Sequence, residues 1–435
     1  MAAFSDLAQA TAWVFDLQKF GIKFGLSSTR DLLMRLNLPI EGGDYLHIAG
    51  TNGKGSVAAM LSAILTRAGC PVGLFTSPHL VDFRERFRLR DEDISGMRLL
   101  SLINQVRRVV DDAEPPTFFE FVTAMALLYF HQEQASPIIL ETGLGGRLDA
   151  TNIVQPRVTV ITNIGHDHHE HLGSGLLQIA WEKAGIIKPG APLVTMARQK
   201  RVLELFRRRC RELGAPMFQG GVDFAARGGP AGRFRYRGLR RELPDLRLNL
   251  LGRHQYGNAA LALAALEILE EQGFAVSDSA IREGLQKIRW PGRLEQLPQD
   301  PRIILDGAHN PAAAGSLAQV LKRSRGNGRL ILVLGVMADK DVDGILARLL
   351  PLAQMVIFTQ PRYFRAAATD ELQRRAAAYG LEALSAPVVA EAIQKAQSLA
   401  GDQDRIVITG SLFTVGEAKQ FFTPTAAVTA QPVRG

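Results

Sequence analysis

Cysteine is nearly missing from this chain: Cys70 and Cys210 are the only two among 435 residues. Cys70 follows a run that reads as a buried helix and Cys210 stands among arginines, so two free thiols in a reducing cytoplasm are expected. Long apolar runs are missing too. No stretch reaches the roughly 20 residues that cross a bilayer, and the opening Met-Ala-Ala-Phe-Ser-Asp lacks the basic region and apolar core of a signal peptide. No membrane partner is expected, and the expected compartment is the cytoplasm. The Asn-Lys-x-Asp signature of guanine-nucleotide switches does not occur. Aromatics make up 7% of the chain, and only Phe206, Phe234 and Tyr236 interleave with the arginines of 198–213 and 233–241. Those basic runs read as solvated surface, not as a face for nucleic acid.

At 435 residues the chain exceeds one ordinary core, which implies two domains. Hydrophobic content of 46% and charged content of 22% are those of a soluble globular protein. A net charge of +8 favours anionic partners; ATP with a polyacidic small substrate is one class, nucleic acid another.

The chain is organised around Gly50-Thr51-Asn52-Gly53-Lys54-Gly55-Ser56. An apolar run, Tyr45-Leu46-His47-Ile48, precedes it and Val57 to Leu65 follow, which is the strand–turn–helix setting of a phosphate-binding loop. The glycines let backbone N–H groups approach phosphate oxygens, and the new helix points its positive end at them. Lys54 adds a point charge for the outer phosphates. The usual loop continues Lys-Ser/Thr, with the hydroxyl on Mg²⁺. Here Gly55 follows the lysine, so the metal is expected to take a ligand from elsewhere.

Apolar runs at 72–75, 137–140 and 158–161 alternate with helical stretches at 97–110 and 117–132, after opening helices at 5–19 and 28–37. Continuous apolar strands with helical crossovers suggest a parallel sheet covered on both faces. Ligands sit at the carboxyl ends of such strands, and Lys54, Ser77, Glu141 and His168 all follow apolar strands. Residues 220–251 suggest an antiparallel appendage, and 258–271 a helix. Trp290-Pro291-Gly292-Arg293 is a breaker cluster approaching a domain boundary, with a mobile hinge expected just beyond Arg293. Strands at 302–306, 330–334, 355–359 and 405–409 then alternate with helices near 311–323, 341–350, 369–379 and 387–400. The expected fold is α/β: a P-loop domain, 1–296, with a mostly parallel sheet, and a smaller Rossmann-like α/β domain, 297–435. The tail from Thr423 is expected to be loosely ordered.

Glu141 at a strand tip suits Mg²⁺, which prefers oxygen ligands, although a helix-capping role explains it as well. Ser77 either caps a turn or supplies the hydroxyl missing beside Lys54. Residues 166–171 hold four of the nine histidines. Consecutive residues point in different directions, so at most one of them is expected to be a functional ligand. Lys183 near a helix end has the ordinary reading of a dipole partner. Thr117 to Phe121 can stack a flat ring or can be core. Asp306 can hold a ribose hydroxyl and His309 can face a reaction centre; alternatively they belong to a cap on the helix that Pro311 starts.

Taken in order, nine segments resemble the Mur ligase superfamily and, within it, the folylpolyglutamate synthase/dihydrofolate synthase branch. They are 50–56, Thr76 to Leu80, Glu141 to Gly146, Asp167-His168, Glu182 to Ile186, His254 to Ala259, Trp290 to Arg293, Asp306 to Pro311, and Thr409 to Leu412. The resemblance implies that Gly50, Thr51, Asn52, Gly53, Lys54, Gly55 and Ser56 hold the phosphates of ATP. Asn258, Arg293 and Asp306 would complete the ATP site across the domain interface. It implies two Mg²⁺ ions, one on Ser77 and Glu141, a second on His168 and on Lys183 carboxylated by CO₂ to a carbamate. Phe24, Gly25, Thr117, Phe118, Phe119, Glu120, Leu148, Asp149 and Ala150 match the branch's pterin-binding segments. Lys54, His168, Lys183 and His309 would serve the chemistry. In that chemistry ATP phosphorylates a carboxylate of dihydropteroate or of a folyl-glutamate, and the amine of L-glutamate displaces the phosphate. A monomer is expected.

Three other readings compete. A cell-wall amino-acid ligase of the same superfamily carries a nucleotide-sugar domain before its loop; here 49 residues precede Gly50, and Ser77-Pro78-His79-Leu80 favours the folate branch. A P-loop ATPase acting on nucleic acid predicts salt-sensitive binding of DNA or RNA. A folate-binding protein without catalysis does not need Lys54 and Glu141.

Overall fold

The computed structural model describes residues 3–423, except 22, 24, 167–172, 174, 230–231 and 325. Phe24, the histidines 168, 169 and 171, and the tail beyond Thr423 therefore lie outside the described residues.

The chain divides into two compact units. The first runs to Asn249 and from Gln255 to Arg289; the second takes Leu250–His254 and continues from Trp290. The chain thus makes a five-residue excursion into the second unit before it crosses again at Trp290.

In the first unit the strand Tyr45–Ala49 lies between Ile138–Glu141 and Pro156–Ile161, parallel to both. All five of its residues are buried, as the unbroken apolar run requires for a strand covered on both faces. Gly73–Phe75 extends the sheet on one side, and Leu193–Thr195 and Met217–Gln219 on the other, all parallel. An antiparallel ribbon, Phe87–Leu89 with Glu92–Asp93, closes the near edge. The result is an eight-stranded sheet.

The helix Lys54–Arg67 starts at the glycine loop and is buried from Ser56 to Leu65. Ser277 caps the helix Asp278–Lys287, and its Gly284 lies directly against the backbone of Ile64, leaving no room for a Cβ. The arginine-rich segment near 200 is an amphipathic helix, Lys200–Glu212, that buries Val202, Leu203, Phe206 and Cys210. Burial pushes the Cys210 thiol up to about 11, and both cysteines are free.

Three antiparallel strands, Ala225–Gly228, Arg233–Arg237 and Glu242–Arg247, form the expected appendage. Phe234, Tyr236, Leu243 and Leu246 point inward and are buried. The helix Arg253–Glu271, apolar over most of its surface, is buried from Asn258 to Leu269.

The second unit has its own six-stranded sheet and core. The strands Asp300–Leu305, Arg405–Thr409, Leu330–Leu334, Met355–Thr359 and Glu382–Ala386 are parallel in that spatial order. Glu295–Leu297 joins the edge antiparallel.

Candidate active site

Gly50 and Gly53 hold φ of 149° and 87°, values open to glycine and strained for other residues. Space adds a second constraint. A Cβ on Gly50 would collide with Thr162, and one on Gly53 with the Asn258 side chain. The loop leans on the segment that follows the strand Pro156–Ile161. Thr51 N–H donates to the Asn163 carbonyl at 3.0 Å and Asn52 N–H to Asn163 Oδ1 at 3.0 Å. The Asn52 carbonyl accepts from Thr162 Oγ1 at 2.7 Å and from Asn163 Nδ2 at 2.9 Å. Thr51 Oγ1 donates to the Gly165 carbonyl and accepts from Gly165 N–H, at 3.1 and 3.0 Å. Loop shape is thus set from behind by a neighbouring strand end.

On the other side Lys54 Nζ and Lys183 Nζ both donate to the Gly50 carbonyl, at 3.3 and 3.0 Å. Lys183 is 5% exposed, so its helix end is turned into the protein. Glu141, at the tip of Ile138–Glu141, places Oε1 4.0 Å from Lys54 Nζ and accepts the Ser77 N–H at Oε2, 3.3 Å. Lys54, Ser77, Glu141 and Lys183 therefore share one locality at the carboxyl ends of parallel strands. The start of the long helix 253–271 reaches it too: Asn258 sits against Gly53, and Gln255 Nε2 donates to Ser56 Oγ at 3.4 Å. Gln255 in turn accepts from Asn258 Nδ2 at 2.8 Å.

Among the described residues no group of three or more His, Cys, Asp or Glu side chains is placed to hold a metal ion. The buried carboxylate of Glu141, at a strand tip beside Lys54 and Ser77, would suit Mg²⁺, a hard cation that takes oxygen ligands.

The loop 142–151 is built around Asp149. Its Oδ2 accepts the N–H groups of Gly143 and Leu144, both at 2.9 Å, and its Oδ1 accepts Thr151 N–H at 3.0 Å and Thr151 Oγ1 at 2.5 Å. Burial raises the Asp149 carboxyl despite these donors. Because the Thr151 hydroxyl gives its proton to Asp149, it accepts from His47 Nε2 at 2.8 Å. That bond places the single proton of neutral His47 on Nε2. Burial first, and then Lys188, lower His47 to about 3.

Thr117 and Glu120 cap the helix Phe118–Gln132 reciprocally, with Thr117 N–H to Glu120 Oε2 at 2.7 Å and Glu120 N–H to Thr117 Oγ1 at 3.3 Å. Their polar atoms hold the helix start; the half-buried rings of Phe118 and Phe119 remain at the surface of the core. Phe118 stacks on Phe15 at 5.7 Å. Phe119 lies against Gly143, whose missing side chain makes room for the ring. Leu148 is half-buried, Ala150 is buried, and Gly25 has a φ of 137°.

In the second unit Asp306 is 9% exposed and joins two motifs. Its oxygens accept Leu294 N–H at 2.9 Å and Ala308 N–H at 3.0 Å, and burial raises its carboxyl against the pull of Arg293. Arg293 packs over Gly307. His309 Nδ1 lies 2.9 Å from the Gly307 carbonyl, and Asn310 caps the helix that Pro311 starts.

Thr162, Asn163, Gly165 and Gln255 were not anticipated as site residues. Thr162 and Asn163 carry the signal that singled out Ser77 and Glu141, polar residues straight after an apolar strand, and could have been found by it.

Family models describe two parts of the chain: residues 48–266 match the Mur ligase middle domain and 292–412 the Mur ligase glutamate ligase domain. The dihydrofolate synthase/folylpolyglutamate synthase of Bacillus subtilis is 37% identical over 432 residues, covering 96% of this chain and 99% of the relative. The structure of Escherichia coli FolC in complex with DHPP and ADP superimposes with a TM-score of 0.90 at 32% identity, over 98% of this chain and 99% of that one. A bifunctional folylpolyglutamate synthase/dihydrofolate synthase from Yersinia pestis, complexed with AMPPNP and Mn ion, gives 0.84 at 32% identity, over 97% and 99%.

Proposed function

Since the chain belongs to the Mur ligase family, on its dihydrofolate synthase/folylpolyglutamate synthase branch, we propose that it adds L-glutamate both to dihydropteroate and to folyl-glutamates. It is an ATP-dependent acid–amino-acid ligase. The observation that carries this reading is the convergence of Lys54, Lys183, Ser77 and Glu141 on one glycine loop.

The chemistry needs two displacements. A carboxylate oxygen of the pteroate or folate attacks the γ-phosphorus of ATP, and the bond to the ADP oxygen breaks. The glutamate amine then attacks the acyl carbon, phosphate leaves with the bonding pair, and the amine sheds a proton. Neither step requires a dedicated acid–base pair: positioning supplies about 7–11 kcal/mol and proton transfer about 3–5. The residues fit that division of labour. The amide groups at the helix start, 54–56, face the phosphates, while those of Thr51 and Asn52 bond Asn163 behind the loop, so little rearrangement accompanies binding. Lys54 places its charge on the outer phosphates and is held by the Gly50 carbonyl until they arrive.

Glu141 and Ser77 would hold Mg²⁺, which supplies charge neutralisation on the phosphoryl oxygens. His168 and Lys183, as a carbamate, are proposed for a second ion. Asn258, Arg293 and Asp306 are proposed for the nucleotide, and His309 for the reacting groups. Phe24-Gly25, Phe118-Phe119 and Leu148–Ala150 are proposed for the pterin, with Thr117, Glu120 and Asp149 shaping those segments through the bonds described. The protein is read as a cytoplasmic monomer.

The test is an ATP-dependent assay with labelled glutamate, offering dihydropteroate and tetrahydrofolate in separate reactions. Incorporation with both supports the bifunctional reading, incorporation with one narrows it to that substrate, and none with either sinks it.

A further inference from the structure

The antiparallel appendage of the first unit carries a charge pattern that its own stability does not explain. Its inward residues are apolar. Outward, the middle strand presents Arg233, Arg235 and Arg237. Arg247 stands directly opposite Arg233, and Arg227 directly opposite Arg235. Like charges at facing positions of a sheet destabilise it. Only part of this charge is answered. Arg233 pairs with Asp245, and Arg237 donates to the Val222 carbonyl. Among the described residues, Arg227, Arg235 and Arg247 are exposed and meet no carboxylate.

The inner side of the same sheet leads to the phosphate loop. Phe234 stacks on Tyr256, with ring centres 5.3 Å apart, and Gly228 leaves no space for a Cβ beside that ring. Tyr256 follows Gln255 and stands two positions before Asn258, the residues that touch Ser56 and Gly53. The arginine face therefore begins one side-chain layer from the helix start that supports the loop.

We infer that this face holds the γ-linked glutamate tail of a lengthening folate substrate, an inference that rests on the ligase reading above. Cross-strand and alternate-residue neighbours space the arginines about 5–7 Å apart. An extended α-peptide advances about 3.5 Å per residue, and a γ-linked glutamate has two more backbone bonds in each repeat. Its carboxylates can thus meet successive arginines. Single-stranded nucleic acid is the poorer match, because it binds through aromatic stacking as well as charge, and Phe234 and Tyr236 face inward.

Fluorescein-labelled γ-linked hexaglutamate, titrated against the full chain at low salt and followed by anisotropy, tests the assignment. The triple variant Arg227→Gln/Arg235→Gln/Arg247→Gln is expected to bind about tenfold more weakly. It should also make shorter polyglutamates, with an unchanged rate on dihydropteroate. A double variant without Arg247→Gln guards against misfolding and should show a smaller loss in the same direction. Equal peptide affinity and equal product lengths in parent and triple variant overturn the tail assignment alone. A parent that adds glutamate to dihydropteroate but not to a monoglutamyl folate makes no lengthening tail and overturns this inference alone, whereas one that adds it to neither overturns the ligase reading as well. Tighter arginine-dependent binding of a dT₁₂ oligonucleotide than of the peptide overturns it in favour of nucleic acid.

Discussion

The carbonyl of Gly50 takes hydrogen bonds from two lysines, and the second of them, Lys183, has two competing explanations. As an amine it is a clamp that fixes the loop. As a carbamate it is an anion for a metal. The variant Lys183→Ala separates the two: on the carbamate reading activity is lost and short carboxylates such as formate restore part of it, whereas loss without any rescue identifies the clamp. His47 offers a different test. Folded, it stays neutral down to about pH 3, while the unfolded chain takes up that proton near 6.5. Between those values the unfolded state binds more protons, so stability falls as pH falls, by up to about 1.4 kcal/mol per pH unit from this one group. His47→Gln keeps a donor for Thr151 and should flatten the acid side of a melting-temperature profile across that window. An unaltered slope would show that His47 titrates normally.

Among elements, the crossing of Lys54–Arg67 by Asp278–Lys287 is the most sensitive. Gly284→Ala puts a methyl group where the Ile64 backbone lies. A cost of about 1–3 kcal/mol is expected, with a raised KM for ATP because the displaced helix carries the loop. Chemical denaturation measures the first effect and initial rates the second; a neutral substitution would mean that the helices separate freely. Neither the partner helix nor the crossing was read in the sequence: Ala280, Ile281, Gly284 and Leu285 recur at helical spacing, but nothing along the chain says which helix they meet. Most parallel strands were legible, because burial on both faces writes them as unbroken apolar runs; the half-exposed edge strand Glu382–Ala386 was not. The three-residue strands Leu193–Thr195 and Met217–Gln219 were not. The loop and its strand-end partners could be read because chemistry there depends on residue type at fixed spacing. The support that Gly165 gives Thr51 acts through position in space, and spacing along the chain is silent about it. Asp149 shows the converse: its motif marked the place, and the structure shows its carboxylate engaged in holding the loop.

At the scale of the molecule, two compact units share one polypeptide, and a nucleotide should stabilise the unit that binds it. ADP with Mg²⁺ at about 100 times its Kd adds about 2.7 kcal/mol to the folded state. Calorimetry should show a rise of several degrees in the transition of the P-loop unit. A shift of neither transition would argue against nucleotide binding. The excursion at 250–254 bears on how such experiments can be designed. A gene cut after Arg289 does not yield one whole lobe and one whole remainder, because the shorter piece lacks Leu250–His254 and the longer piece keeps them without the neighbours they pack on, Leu294 among them. Fragment complementation and lobe exchange between relatives must therefore carry that pentapeptide with the carboxy-terminal partner, or graft both at once.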